Sequence, residues 1–127
     1  METPFTFTNG ERRMNDITRY QRATDNTAIY PGAAENGFHG LSYVTLGLVG
    51  EAGEICNKVK KIARDCSGLV NNDHRTALAE ELGDVLWYAA QLATQMGLDL
   101  GQIAAANITK LMDRKERGVL QGSGDQR

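Results

Sequence analysis

Apolar residues in this chain recur at steps of three and four, and never in a sustained alternation. That period belongs to the α-helix, where residues three and four apart share a face; a half-buried strand repeats every second residue. From Leu41 to Cys66 the recurring positions are Leu48, Val49, Ala52, Ile55, Cys56, Val59, Ile62 and Ala63. Another such stretch runs from His74 to Met96, stopped by Gly97, and another from Asp99 to Arg117, closed by Gly118. Glycine is the residue that most readily ends a helix. A shorter pattern spans 12–29, with Met14, Ile17, Tyr20 or Gln21, and Ala28 on its apolar side. Tyr30-Pro31-Gly32 ends it, because proline lacks a donor and pushes its predecessor out of the helix. Residues 31–39 read as a loop. Gly68 and Asn71-Asn72-Asp73 break the two long helices apart, with Asp73 as the expected N-cap. The expected fold is all-α, a four-helix bundle with helices at about 12–29, 41–66, 74–96 and 99–117. A single domain is expected over 1–127, with flexible ends at 1–11 and 118–127.

Composition narrows the function. No apolar run approaches the ~18–20 residues needed to span a bilayer. The start, Met1 to Gly10, lacks a basic segment followed by an apolar one, so no secretory leader is read and a cytoplasmic location is expected. Sixteen acids against fourteen bases give a net charge of −2. Stable nucleic-acid binding is therefore not expected, although a single nucleotide needs only a few cations. Cys56 and Cys66 are not in a Cys-x-x-Cys arrangement, and His39 and His74 are not at zinc-finger spacing from them. Both cysteines read as reduced packing residues.

The charged residues are sorted onto stripes. At about 100° per residue, Glu54 lies about −60° from Glu51, Lys58 about −20°, Lys61 about −80° and Asp65 about −40°. From Glu81, Asp84 lies about −60°, Tyr88 about −20° and Gln91 about −80°. Asn107, Lys110, Arg114 and Arg117 repeat the spacing on the last helix. Taken alone, each stripe reads as a solvated helix face. The flanks argue otherwise on the two long helices. Glu51 and Glu54 stand inside Leu46-Gly47-Leu48-Val49-Gly50-Glu51-Ala52-Gly53-Glu54-Ile55, and Asp84 inside Leu82-Gly83-Asp84-Val85-Leu86-Trp87. Each helical glycine costs about 1 kcal/mol relative to alanine, so Gly47, Gly50, Gly53 and Gly83 call for close packing or ligand access. If both acidic pairs face inward, four carboxylates converge, and like charges cannot stay ionised together there without a cation. Oxygen ligands favour Mg²⁺, Mn²⁺ or Ca²⁺. The bases Lys58, Lys61, Lys110 and Arg114 suit a polyphosphate. A di-iron bundle needs Glu-x-x-His pairs, which neither His39 nor His74 supplies.

The pairing of Glu51-x-x-Glu54 with Glu81-x-x-Asp84, across 26 intervening residues, resembles the MazG-like family of all-α nucleoside triphosphate pyrophosphohydrolases. Leu46-Gly47-Leu48, Asn57 to Lys61, Asn107 to Arg114 and the ending from Arg117 are also similar, so the likeness covers residues 14–127. The resemblance implies Mg²⁺-dependent hydrolysis of (d)NTP to (d)NMP and pyrophosphate, with Mn²⁺ a possible substitute. It makes Glu51, Glu54, Glu81 and Asp84 the metal-binding and catalytic set, with Glu54 the first choice of general base. Lys58, Lys61, Tyr88, Asn107, Lys110 and Arg114 become candidate substrate contacts, whereas Lys60 and Glu80 read as surface and Trp87 as core or interface. His39 reads as an ordinary loop residue. Asp125 and Arg127 in the tail could close over a site. The resemblance also implies a homo-oligomer, dimer or tetramer. The alternative function is a non-catalytic helical module binding nucleotide or protein.

Overall fold

A computed structural model describes residues 16–127. Among these residues there are four α-helices and one 3-10 turn, with no strand. Helix α1 is Ile17–Thr24 and runs into the 3-10 turn Asp25–Thr27. Helices α2, Phe38–Cys66, and α3, Asn72–Gln95, follow, and α4 is Leu100–Glu116. No helix among the described residues is long and apolar enough to cross a membrane.

The all-α expectation holds, and its boundaries shift for identifiable reasons. Asp16 has extended backbone and its side chain accepts from the Thr18 amide at 2.9 Å, so α1 begins at Ile17. The expected start at 12, Met14 and the lead-in 1–11 lie outside the described residues. The expected end at 29 moves back to 24. There the Thr24 hydroxyl bonds the Gln21 carbonyl, and the chain tightens into the 3-10 turn. Helix α2 starts three residues early, so His39 lies in its first turn and not on a loop. Asn71, not Asp73, caps α3: its side chain accepts from the His74 amide at 2.8 Å, while His74 Nδ1 accepts from the Asn71 amide at 3.2 Å. Three adjacent residues could cap; the reciprocal bond to the His74 ring selects the first. Gly97 and Gly118 take positive φ and stop α3 and α4 as expected.

Helices α2 and α3 form a long antiparallel hairpin, the largest contact between elements among the described residues. Ile62 of α2 faces His74 and Ala77 of α3 across it, and Val44 of α2 and Ala90 and Ala93 of α3 are buried as well. Gly47 sits under the Tyr88 ring so closely that a Cβ would overlap it. Helix α1 packs on α3 through a polar interior. Gln91 Nε2 donates to Thr24 Oγ1 at 2.7 Å and its Oε1 accepts from the Tyr30 hydroxyl at 2.8 Å. Gln21 and Thr24, not Ile17, are the buried residues of α1, and the Gln21 amide ties the α3–α4 junction. It donates to the Leu98 carbonyl at 2.9 Å and accepts from the Leu100 amide at 2.7 Å. Trp87 is half-buried and donates to Thr27 Oγ1 at 2.8 Å.

Helix α4 contacts α1 and the end of α3, and most of its length is exposed. Ile108 and Met112 on α4, and Leu46, Val49, Leu82 and Leu86 on the hairpin, remain open to solvent. Val59 and Cys56, expected to pack, are also exposed, because the seam with α3 falls on the other side of α2. The tail folds back on α4. Arg114 is buried and donates to the Asp125 carbonyl at 2.6 Å, and Arg117 donates to the Arg127 carbonyl at 2.9 Å.

The Gly47–Tyr88 contact gives a paired test. Gly47→Ala is expected to destabilise by about 1–3 kcal/mol, the usual range for overpacking. Gly50, whose Cβ would meet nothing within 4 Å, is expected to tolerate alanine or gain up to about 1 kcal/mol of helix propensity. Urea denaturation of both variants checks the contrast.

Candidate metal centre

The hairpin register sets Glu51 of α2 across from Glu81 and Asp84 of α3. One carboxylate oxygen from each lies within 4.8 Å of the other two. Glu81 and Asp84 are three apart and share a face of α3. Glu51 lies one turn beyond Gly47 on the line of α2 that meets α3. Lys58, two turns further on, reaches across with its Nζ 3.2 Å from Glu81 Oε1. Glu81 is well covered there, its side chain only 17% exposed.

The electrostatics show unmet negative charge. The Glu51 carboxyl titrates above its ordinary value, first because burial disfavours its charge, then because Asp84 and Glu81 repel it, with a smaller push from Glu54. Without a cation, these carboxylates repel one another. Burial, followed by the Asp84 charge, raises the Tyr20 phenol. Burial also raises Tyr88, with Tyr43, Glu51 and Asp84 adding to it. The donors are all oxygens on short side chains of rigid helices. They fit a hard divalent cation, Mg²⁺, Mn²⁺ or Ca²⁺, better than zinc or copper.

Of the residues singled out from sequence, Glu51, Glu81, Asp84, Lys58 and Tyr88 come together. Glu54 is exposed and stands outside the three-acid group, although its charge reaches Glu51. Lys61 is exposed one turn beyond Lys58, in a cavity they share. Asn107 and Lys110 lie on exposed α4 with Ile103 and Ala106, apart from the acids of the same chain. Arg114 holds the tail, so Asp125 and Arg127 close onto α4 and not onto the acids. Lys60, Glu80 and His39 are exposed. Tyr43, which no sequence motif marks, stacks on Tyr30 at 5.3 Å and adds to the raised Tyr88 phenol. It lies about −80° from Glu51, the azimuth of Lys61, so extending the stripe backward would have found it.

The family model described as MazG nucleotide pyrophosphohydrolase domain matches residues 40–119, which takes in α3, α4 and all of α2 but its first two residues. The chain belongs to this family of nucleotide pyrophosphohydrolase domains. A relative named "Gene 37 protein", from Mycobacterium phage L5, is 58% identical over 109 residues, covering 85% of this chain and 96% of its own. No solved structure gives a significant match.

A raised Glu51 pKa has a definite sign for stability. The native state holds the proton more tightly than the unfolded chain, so this group's contribution is greatest at acid pH. It is lost as pH rises through the native value. Without divalent ions, Glu51→Gln is therefore expected to melt higher than wild type at about pH 7. That advantage should shrink toward about pH 4, where carboxyls protonate in both states. Thermal melts in chelator at both pH values check this; an advantage that grows on acidification contradicts it.

Proposed function

We propose that this chain is a Mg²⁺-dependent nucleoside triphosphate pyrophosphohydrolase that converts (d)NTP to (d)NMP and pyrophosphate in nucleotide-pool control. The observation that carries the reading is the gathering of Glu51, Glu81 and Asp84 within 4.8 Å in a chain of a pyrophosphohydrolase family. Those three carboxylates would hold Mg²⁺, or Mn²⁺ in its place, and the bound cation would offset phosphate charge and acidify a water.

The chain's own groups do the rest. Glu54, one turn from Glu51 and outside the three-acid group, is the carboxylate that accepts the water's proton. The water oxygen bonds to the α-phosphorus as the bond from that phosphorus to the α,β-bridging oxygen breaks. The electron pair leaves with pyrophosphate. Lys58 and Lys61 offset the charge of the departing group, and Tyr88 bounds the nucleoside side. The apolar residues exposed on α4 and the hairpin support a homo-oligomer, dimer or tetramer, in which α4 of a second copy carries Asn107 and Lys110 toward the acids. Arg114 acts by holding the tail. A cytoplasmic location, without membrane or stable nucleic-acid partners, fits this activity.

Glu54→Gln is expected to lower kcat by about 10²–10⁴-fold, the usual worth of a general base, with the melting temperature preserved. Glu81→Gln is expected to raise the Mg²⁺ concentration needed for half-maximal rate. A coupled assay separating pyrophosphate from phosphate reads both variants, and release of inorganic phosphate by wild type contradicts the reaction. Ile108→Glu is expected to shift the protein toward monomer in light scattering and to reduce activity in step. A fully active monomer contradicts the composite site.

A further inference from the structure

Past the carboxylates, the α2–α3 groove continues toward the turn at 67–71 and opens into a cavity of about 280 Å³. Lys58, Lys61, Ile62, Asp65, Cys66 and His74 line it. Lys58 belongs to both places, since its Nζ pairs with Glu81 at 3.2 Å. The cavity and the acid group are therefore neighbours along one groove.

Its size and charge select an occupant. Pockets for whole small molecules run from roughly 300 to 1,000 Å³, so this cavity suits a fragment of a ligand. Two ammonium groups face it. The Asp65 carboxylate is already taken by Arg64, at 2.6 and 2.8 Å, and opposes them little. His74 Nδ1 accepts from the Asn71 amide, so the neutral ring carries its proton on Nε2, which lies 4.0 Å from Cys66 Sγ. The cavity thus offers two cations and a ring N–H over an apolar floor, a set suited to a small polyanion. The groove's other end is aromatic, with the Tyr88 ring on Gly47 and Tyr20 beside Asp84.

We infer that the groove has a direction: the nucleoside lies toward Tyr20 and Tyr88, and the two outer phosphates, which leave together as pyrophosphate, occupy the Lys58–Lys61 cavity. This rests on the pyrophosphohydrolase reading. It assigns Lys61, His74 and the Cys66 wall to the leaving group, and makes the hairpin turn the exit side. It also gives Lys58 two partners in succession. Glu81 holds it while the groove is empty; once that carboxylate is shared with a cation, its ammonium is released to the outer phosphates.

Cys66 reports occupancy through its rate of alkylation, once the exposed Cys56 is removed by Cys56→Ser. In that background, with Mg²⁺ in excess, inorganic pyrophosphate is expected to slow iodoacetamide modification of Cys66 several-fold. A deoxynucleoside monophosphate is expected to leave the rate unchanged. Adding Lys61→Ala is expected to remove the protection. No protection by pyrophosphate, equal protection by the monophosphate, or protection undiminished in Lys61→Ala overturns the inference. Turnover on the same sample separates the two claims. Turnover without protection rejects the direction and keeps the activity. Protection without turnover keeps the pyrophosphate site and rejects the activity.

Discussion

Helices α2 and α3 meet where Gly47 leaves room for the Tyr88 ring, and one turn further along that contact three carboxylates come into one place. A Cβ at position 47 would overlap that ring, so the approach depends on glycine there. The same line of contact then reaches Glu51 on one side and Glu81 and Asp84 on the other, within 4.8 Å. A seam continued with leucines would bury more apolar surface and would need no cation. The one present carries unmet charge, visible in the raised Glu51 carboxyl and in Lys58 reaching across to Glu81. The proposed metal binding would therefore be coupled to hairpin stability: an ion sharing these oxygens would relieve a repulsion built into the packing.

The remaining elements serve that hairpin. Helix α1 and the segment after it are joined to α3 by amide and hydroxyl bonds, through Gln21, Thr24, Tyr30, Gln91, Thr94 and Gln95. A directional polar interior fixes the position of α1 more closely than an apolar one of the same area. It sets Tyr20 beside Asp84 and stacks Tyr30 on Tyr43, which stands next to Tyr88. Helix α4 is different. Its polar anchoring is at its ends, and its middle is exposed.

Periodicity made the helices and the acid stripes legible, because the 3.6 repeat fixes which residues share a face. It does not fix which face meets a neighbour. Glu54 and Asp84 have the same angular offset from their partner acids, yet Asp84 joins the three-acid group and Glu54 does not. The seam crosses the two helices on different sides of those pairs, and that depends on packing. Val49 and Val59 looked inward by composition and are exposed for the same reason. Lys110 sits on the expected face of α4, but the direction α4 takes is set by the junction at Gln21, a contact between residues 79 apart in the chain. Asn71 was one of three adjacent residues able to cap α3, and the His74 ring bond that selects it is a tertiary detail of a few atoms.

The central claim is that Glu51, Glu81 and Asp84 together hold a divalent cation. Anomalous diffraction from crystals of the protein grown with Mn²⁺ tests it most directly. The account predicts Mn²⁺ within coordination distance of all three carboxylates, with Lys58 drawn away from Glu81. Mn²⁺ bound elsewhere, or no Mn²⁺ peak between α2 and α3, contradicts it.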